Sequence, residues 1–207
     1  MTAPDGIYPS TNEFGIPDLL PSLQADCLDL LVEQWGRRSR KNTQHGTYHF
    51  YTEDYRFDAL WKAPEGITQS GCPSIVEPNF SVYSMTPRAL ALQQIYKKRW
   101  LARYWQSIGI RVFVDMNVSG RYYQDNFLGV PRGWKAYATR ADNEHPEELE
   151  REILLARYHA GSDEILFMCY SGGNAAEHIC RYYGAIFVPD SRDVYNASQE
   201  TPQLMLV

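Results

Sequence analysis

Apolar positions recur with a helical period over Thr86–Gly109. Leu90, Leu101, Trp105 and Ile108 fall on one face of a 3.6-residue wheel, and Arg88, Arg99 and Arg103 gather opposite. Pro87 suits the first turn and Gly109 the stop, so the spacing predicts a helix. A second helix is predicted over "HPEELEREILLARYHAG". Pro146 opens it, Glu147 and Glu148 favour its positive end, and Gly161 ends it, with Leu149, Ile153, Ala156 and Ala160 as the buried stripe. "NAAEHICRYYG" predicts a third, with Asn174 and Glu177 at capping-box spacing. A further helix is expected over "LQADCLDLLVEQWG", where Leu23, Cys27, Leu30, Leu31 and Gln34 keep helical spacing and Gly36 closes the run.

Between these segments the pattern changes to short, continuous apolar runs. "IRVFVDMN" (110–117), "EILFMCY" and "AIFVPD" read as strands buried on both faces, and "KAYAT" as a shorter one. "PSIVEPNFSVY" reads as another, with Pro78 at its end or at a bulge, and "TYHFYTEDYRFDALW" as one or two. Strand and helix alternate through the second half, which is the pattern of an α/β protein with a mainly parallel sheet and flanking helices. An open doubly wound sheet and a reduced (β/α) barrel both satisfy it. The similar polar residues at several strand ends favour the barrel-like version. Residues 1–25, with Pro4, Pro9, Pro17 and Pro21, predict an extended arm that wraps the domain or reaches a neighbour. Residues 26–207 are then a single α/β domain, long enough to bury its own core.

Composition narrows the partners. A net charge of −5 argues against a protein whose main task is coating duplex DNA. Fifteen tyrosines and five tryptophans suit half-wet surfaces, so an aromatic groove or partner surface competes with simple core filling. Cys27, Cys72, Cys169 and Cys180 fall in no metal-ligand spacing, and no secretory signal precedes them, which predicts a reduced, cytoplasmic setting. No apolar run reaches the ~20 residues of a membrane span.

In parallel α/β folds chemistry gathers at the carboxyl ends of the strands. Those ends carry Glu77 and Asn79, Asp115 and Asn117, Tyr170 to Asn174, and Asp190 with Ser191. Glu77, Asp115 and Asp190 are the candidate catalytic carboxylates, meeting at one mouth to hold a divalent metal or to divide into acid and base. Turn and cap formation explains the same residue types equally well. Asn79 and Asn117 would orient a substrate. The turn Tyr170, Ser171, Gly172, Gly173 and Asn174 would offer backbone N–H groups and a helix start to a phosphate, or serve as a plain tight turn. The spacing of His45 and His49 lacks helical zinc geometry, and His159 and His178 lie on predicted helices. A third chemistry, single-stranded nucleic acid binding, would use Arg37, Arg38, Arg40 and Lys41 with the Arg99/Arg103 face.

The order "DYRFDALWKAP", "PNFSVY" with "TP", "QQIYKKRWLARYWQSIGIRVFVD", "FLGVPRGWKAYAT" and "ILFMCYSGG" resembles a bacterial and phage-borne family known as domain of unknown function 4417. The resemblance runs from about Tyr51 to Pro189. Its most specific parts are Pro78 to Tyr83, the tyrosine–arginine–tryptophan helix and Gly129-Val130-Pro131. It implies a mobile-element setting and supports the fold more than any activity. Beside single-stranded nucleic acid binding, two functions are expected. One is an enzyme for a phosphorylated or nucleotide-like substrate; the other is a non-catalytic protein docking a host or replication partner.

Overall fold

The computed structural model describes residues 7–36 and 46–190. Seven short strands, all parallel, follow one another around the sheet in chain order: β1 (Val32–Gln34), β2 (Thr47–His49), β3 (Ser74–Val76), β4 (Arg111–Asp115), β5 (Ala136–Arg140), β6 (Leu166–Tyr170) and β7 (Ile186–Val188). The crossovers carry α1 (Arg88–Ser107), the short α2 (Tyr123–Asn126), α3 (Pro146–Ala160) and α4 (Gly173–Tyr183). Three 3-10 turns replace a helix between β2 and β3.

The sheet curls on itself. In a flat sheet, β2 and β6 would stand four strand spacings apart, about 19 Å. Instead the rings of His49 and Tyr170 lie 4.2 Å apart, and Tyr51 stacks on Tyr170 at 5.9 Å. The result is a nearly closed, barrel-like ring, the second of the two architectures that the strand–helix alternation allows.

α3 runs as the spacing predicts, with Leu149, Ile153, Ala156 and Ala160 all buried and Gly161 in a left-handed C-cap. α1 has the predicted length but not the predicted faces. Leu90 and Ile108 are 53% and 45% exposed, whereas Lys98 and Arg99 are buried beside Trp100, Leu101 and Trp105. The helix is covered on more than one side, so a single apolar stripe does not describe it. α4 begins one residue early, at Gly173, with Gly172 as its N-cap and no side-chain cap, so Asn174 and Glu177 form no capping box. Glu177 pairs with Arg181 instead.

The helix expected over 23–36 is absent. Gln24 bridges to Val112, the Ala25 N–H donates to the Val112 carbonyl, and Val32–Gln34 pair with β2. Asp29 accepts two hydrogen bonds from Arg111 and one from Ser74, which ties this segment to the amino end of the ring. Tertiary pairing overrides the local period. The preceding arm is extended from residue 7 and packs along the domain, with Ile16 and Leu19 buried and the Leu19 N–H donating to the Gly129 carbonyl. Among the described residues no helix is long and apolar enough to cross a membrane.

Candidate functional site

The strand tips meet at the carboxyl end of the ring. A cleft of about 560 Å³ is lined by Tyr83, Asn117, Arg140, Ala141, Ser171 and Asp190, together with acidic residues of the segment after β5. A second lobe of about 490 Å³ adds Thr52, Glu53, Asn79, Ser81 and Glu148, and it shares Tyr83, Asn117 and Arg140 with the first. Segments following β2 to β7 thus contribute to one mouth. Arg140, the last residue of β5, is exposed and stands in both lobes.

Beneath the mouth lies a buried polar layer. Glu77, just beyond β3, pairs with the Arg99 guanidinium, and Arg99 also donates to the carbonyls of Asn126 (2.6 Å) and Leu128 (3.1 Å). Asp115 ends β4 and receives Lys98 Nζ at 3.1 Å on both its side chain and its carbonyl. The Asp115 backbone N–H donates to Glu77 Oε2 at 3.1 Å, linking the two acids across neighbouring strands. Tyr51 OH (3.2 Å) and the Asn117 N–H (3.1 Å) donate to Asp115 Oδ1, and Asn126 Nδ2 donates to the Asp115 carbonyl at 2.9 Å.

Burial sets the electrostatics here. It pushes the Asp115 carboxyl above the usual range, with Lys98 opposing the shift and Glu77 adding to it. Burial, then the charge of Asp115, holds the Tyr51 phenol well above its ordinary value. Glu152 of α3 is buried in the same region, and its carboxyl is held well above the usual range, by burial first.

The three acids read as catalytic therefore part company. Glu77 and Asp115 are brought together but wholly buried, each against a cation. Asp190 lies on the cleft wall. Among the described residues no group of three or more His, Cys, Asp or Glu side chains could hold a metal ion. Asn79 and Asn117 both line the mouth, as does Ser171. Tyr170 lies under it as part of the aromatic floor, and Gly172 and Gly173 turn the chain into α4, where Asn174 is exposed. Ser171, Gly172 and Gly173 have φ of 61°, 104° and 62°, so Ser171 is a non-glycine residue held in left-handed backbone at the cleft wall.

Two corrections concern the basic residues. Arg99 belongs to no outer basic face, because its guanidinium is consumed by Glu77 and two carbonyls in the interior. Arg103 is half-buried with its guanidinium over the Tyr8 ring at 4.7 Å. Arg37, Arg38, Arg40, Lys41, His45 and Ser191 lie outside the described residues. His49 packs inside the ring against Tyr51 and Tyr170. The four cysteines are free thiols.

Lys98, Arg140 and Glu152 are members of this region that sequence reasoning missed. For Lys98 and Glu152 a signal existed. Lys98 sits three residues after Ile95 and three before Leu101, and Glu152 three after Leu149 and four before Ala156. An ionisable residue within an apolar helical stripe marks a buried charge. Arg140 had only its place after "KAYAT".

A ring of parallel strands with a polar mouth at the carboxyl end and a charged layer beneath it defines a small β/α barrel-like protein whose cleft lies at the carboxyl end of the strands. The chain belongs to the family described as Domain of unknown function (DUF4417), which matches residues 8–144. It is similar to the Gene 1 protein of Mycobacterium phage D29, at 33% identity over 107 residues covering 51% of this chain and 40% of that protein. It is similar also to the Gene 1 protein of Mycobacterium phage L5, at 33% identity over 112 residues covering 51% and 47%. The matched region is thus less than half the length of those relatives. No solved structure matches the chain.

Proposed function

We propose that the mouth binds a small phosphorylated or nucleotide-like ligand. The observation that carries this reading is Arg140, an exposed guanidinium standing in both lobes of a cleft walled by polar residues from successive strand tips. Guanidinium is the side chain best suited to planar, two-point recognition of phosphate. Asn79, Asn117 and Ser171 supply directional hydrogen bonds around it, and Tyr83 offers a ring at the rim.

The same rim carries Glu53, Asp142, Glu144, Glu148 and Asp190, so a simple anion would be repelled. A nucleotide meets both demands. Its phosphate faces Arg140, and the N–H groups of its base face carboxylates and amides. Of the three acids read as catalytic, Asp190 alone lies on the cleft wall. Glu77 and Asp115, sealed by Arg99 and Lys98, serve as braces for the tips of β3 and β4. Binding is therefore the function supported best, and the phage relatives suit a ligand met during phage growth.

A thermal-shift and calorimetry panel of nucleoside mono- and triphosphates, with and without Mg2+, tests this. At least one member is expected to raise the melting temperature, and Arg140→Ala to weaken its binding about tenfold or more, as expected for a lost charge-assisted contact, without lowering the stability of the free protein. A panel with no effect, or undiminished binding by the variant, refutes the reading.

A further inference from the structure

The buried charges beneath the mouth do not balance. Glu77 with Arg99 and Asp115 with Lys98 form two closed pairs. Glu152, 5% exposed, is a third carboxyl in the same region. Its charged neighbours are Asp115 and Glu148, both acidic, and Lys98, whose ammonium already donates twice to Asp115. With Glu152 ionised, one positive charge is missing.

Two buried oxygen atoms of the neighbouring helix α2 also lack partners. Asn126 Oδ1 and Tyr123 OH on α2 are buried and make no hydrogen bond, and the Thr139 hydroxyl on β5 turns to the Glu152 carboxyl. Tyr123 feels the charge of the Glu152 carboxyl. Asn126 is fixed in its orientation, because its Nδ2 donates to the Asp115 carbonyl at 2.9 Å. That leaves Oδ1, which can only accept, facing no donor. Most buried acceptors have a partner, so two orphaned ones on one short helix point to something that satisfies them.

We propose that Glu152, Thr139, Asn126 and Tyr123 form an internal site for a hard monovalent cation, Na+ or K+. A carboxylate, an amide carbonyl and two hydroxyls make an all-oxygen donor set, which selects hard ions over the softer metals that imidazole and thiolate attract. The deficit is a single charge, so a divalent ion would overcompensate it. Glu148, one turn along α3 from Glu152, lines the cleft and marks the access route. The site is independent of the ligand proposed for the mouth.

The experiment compares melting in choline chloride, NaCl and KCl at equal ionic strength, which cancels general screening. Na+ or K+ is expected to raise the melting temperature saturably, by roughly 2 °C or more relative to choline. Glu152→Gln and the isosteric Thr139→Val should lose that response, whereas Arg140→Ala should keep it. The sodium NMR linewidth gives a second reading, broadened by the native chain, narrowed on adding K+, and unaffected by Glu152→Gln. Equal melting of the native chain in all three salts overturns the proposal and leaves a proton on Glu152 as the compensating charge. An undiminished response in both site variants overturns it as well.

Discussion

His159 is buried near the end of α3, its ring stacked on Phe127 at 4.2 Å and its Nδ1 2.9 Å from the Tyr137 hydroxyl. Burial, reinforced by Arg132 and Arg99, pushes its pKa down to about 4. The unfolded chain takes up this proton near 6.5 and the native protein only near 4. Its contribution to stability is therefore complete above about 6.5 and is lost as the pH falls through that window. Asp115, whose carboxyl is held above its ordinary range, works in the opposite sense. The difference between the native chain and His159→Gln isolates the histidine. Between pH 7 and pH 4.5 the urea midpoint of the native chain should fall relative to that of the variant; parallel changes would remove His159 from the account. At this scale the sequence was only half readable. The acids and amides at the strand ends were legible, because a polar residue closing an apolar run is visible in one dimension. That Glu77 and Asp115 would be sealed by cations from α1 was not, since Arg99 and Lys98 lie 22 and 17 residues further along or back in the chain.

Among the elements, those with long apolar runs and clear stops could be read directly: β4, β6, α3, and the extent of α1. β1 could not. Its three residues are half-buried, and its segment carries a helical period that pairing with β2 and the Asp29–Arg111 contacts outweigh. The arm and the turn at Gly129 illustrate a second kind of hidden information. Gly129 has φ of 75°, and a Cβ there would collide with the Pro17 carbonyl. Its own carbonyl accepts the Leu19 N–H at 2.8 Å. The glycine of Gly129-Val130-Pro131 is thus required by a neighbour more than a hundred positions away. Gly129→Ala should destabilise the protein by about 2–4 kcal/mol through strain and a backbone clash. Denaturant unfolding measures it, and a loss below about 0.5 kcal/mol would show that the arm moves aside without penalty.

For the molecule as a whole, closure of the ring was the least legible property, because seven parallel strands in order fit an open sheet as well as a curled one. The contact of His49 with Tyr170 decides it. Strand order also predicts a gradient of protection. β4 and β5 have partners on both sides and lie mid-ring, whereas β1 and β7 are the outermost members. Native-state hydrogen exchange should find the amides of Val112 and Val114 among the slowest and those of β1 and β7 among the fastest. Equal protection of β7 and β4 would mean that opening is global.

That β1 and β7 are the two outermost strands of the ring has a further consequence. Because neighbours in the ring are also neighbours in the chain, the circle can unzip from either end without any inner strand having to let go of its partners. Loosening would first free β1 and β7, and the charged layer that braces the tips of β3 and β4 would be reached last. Tolerance to change at the extremities and intolerance in the middle are thus two results of a single strand order.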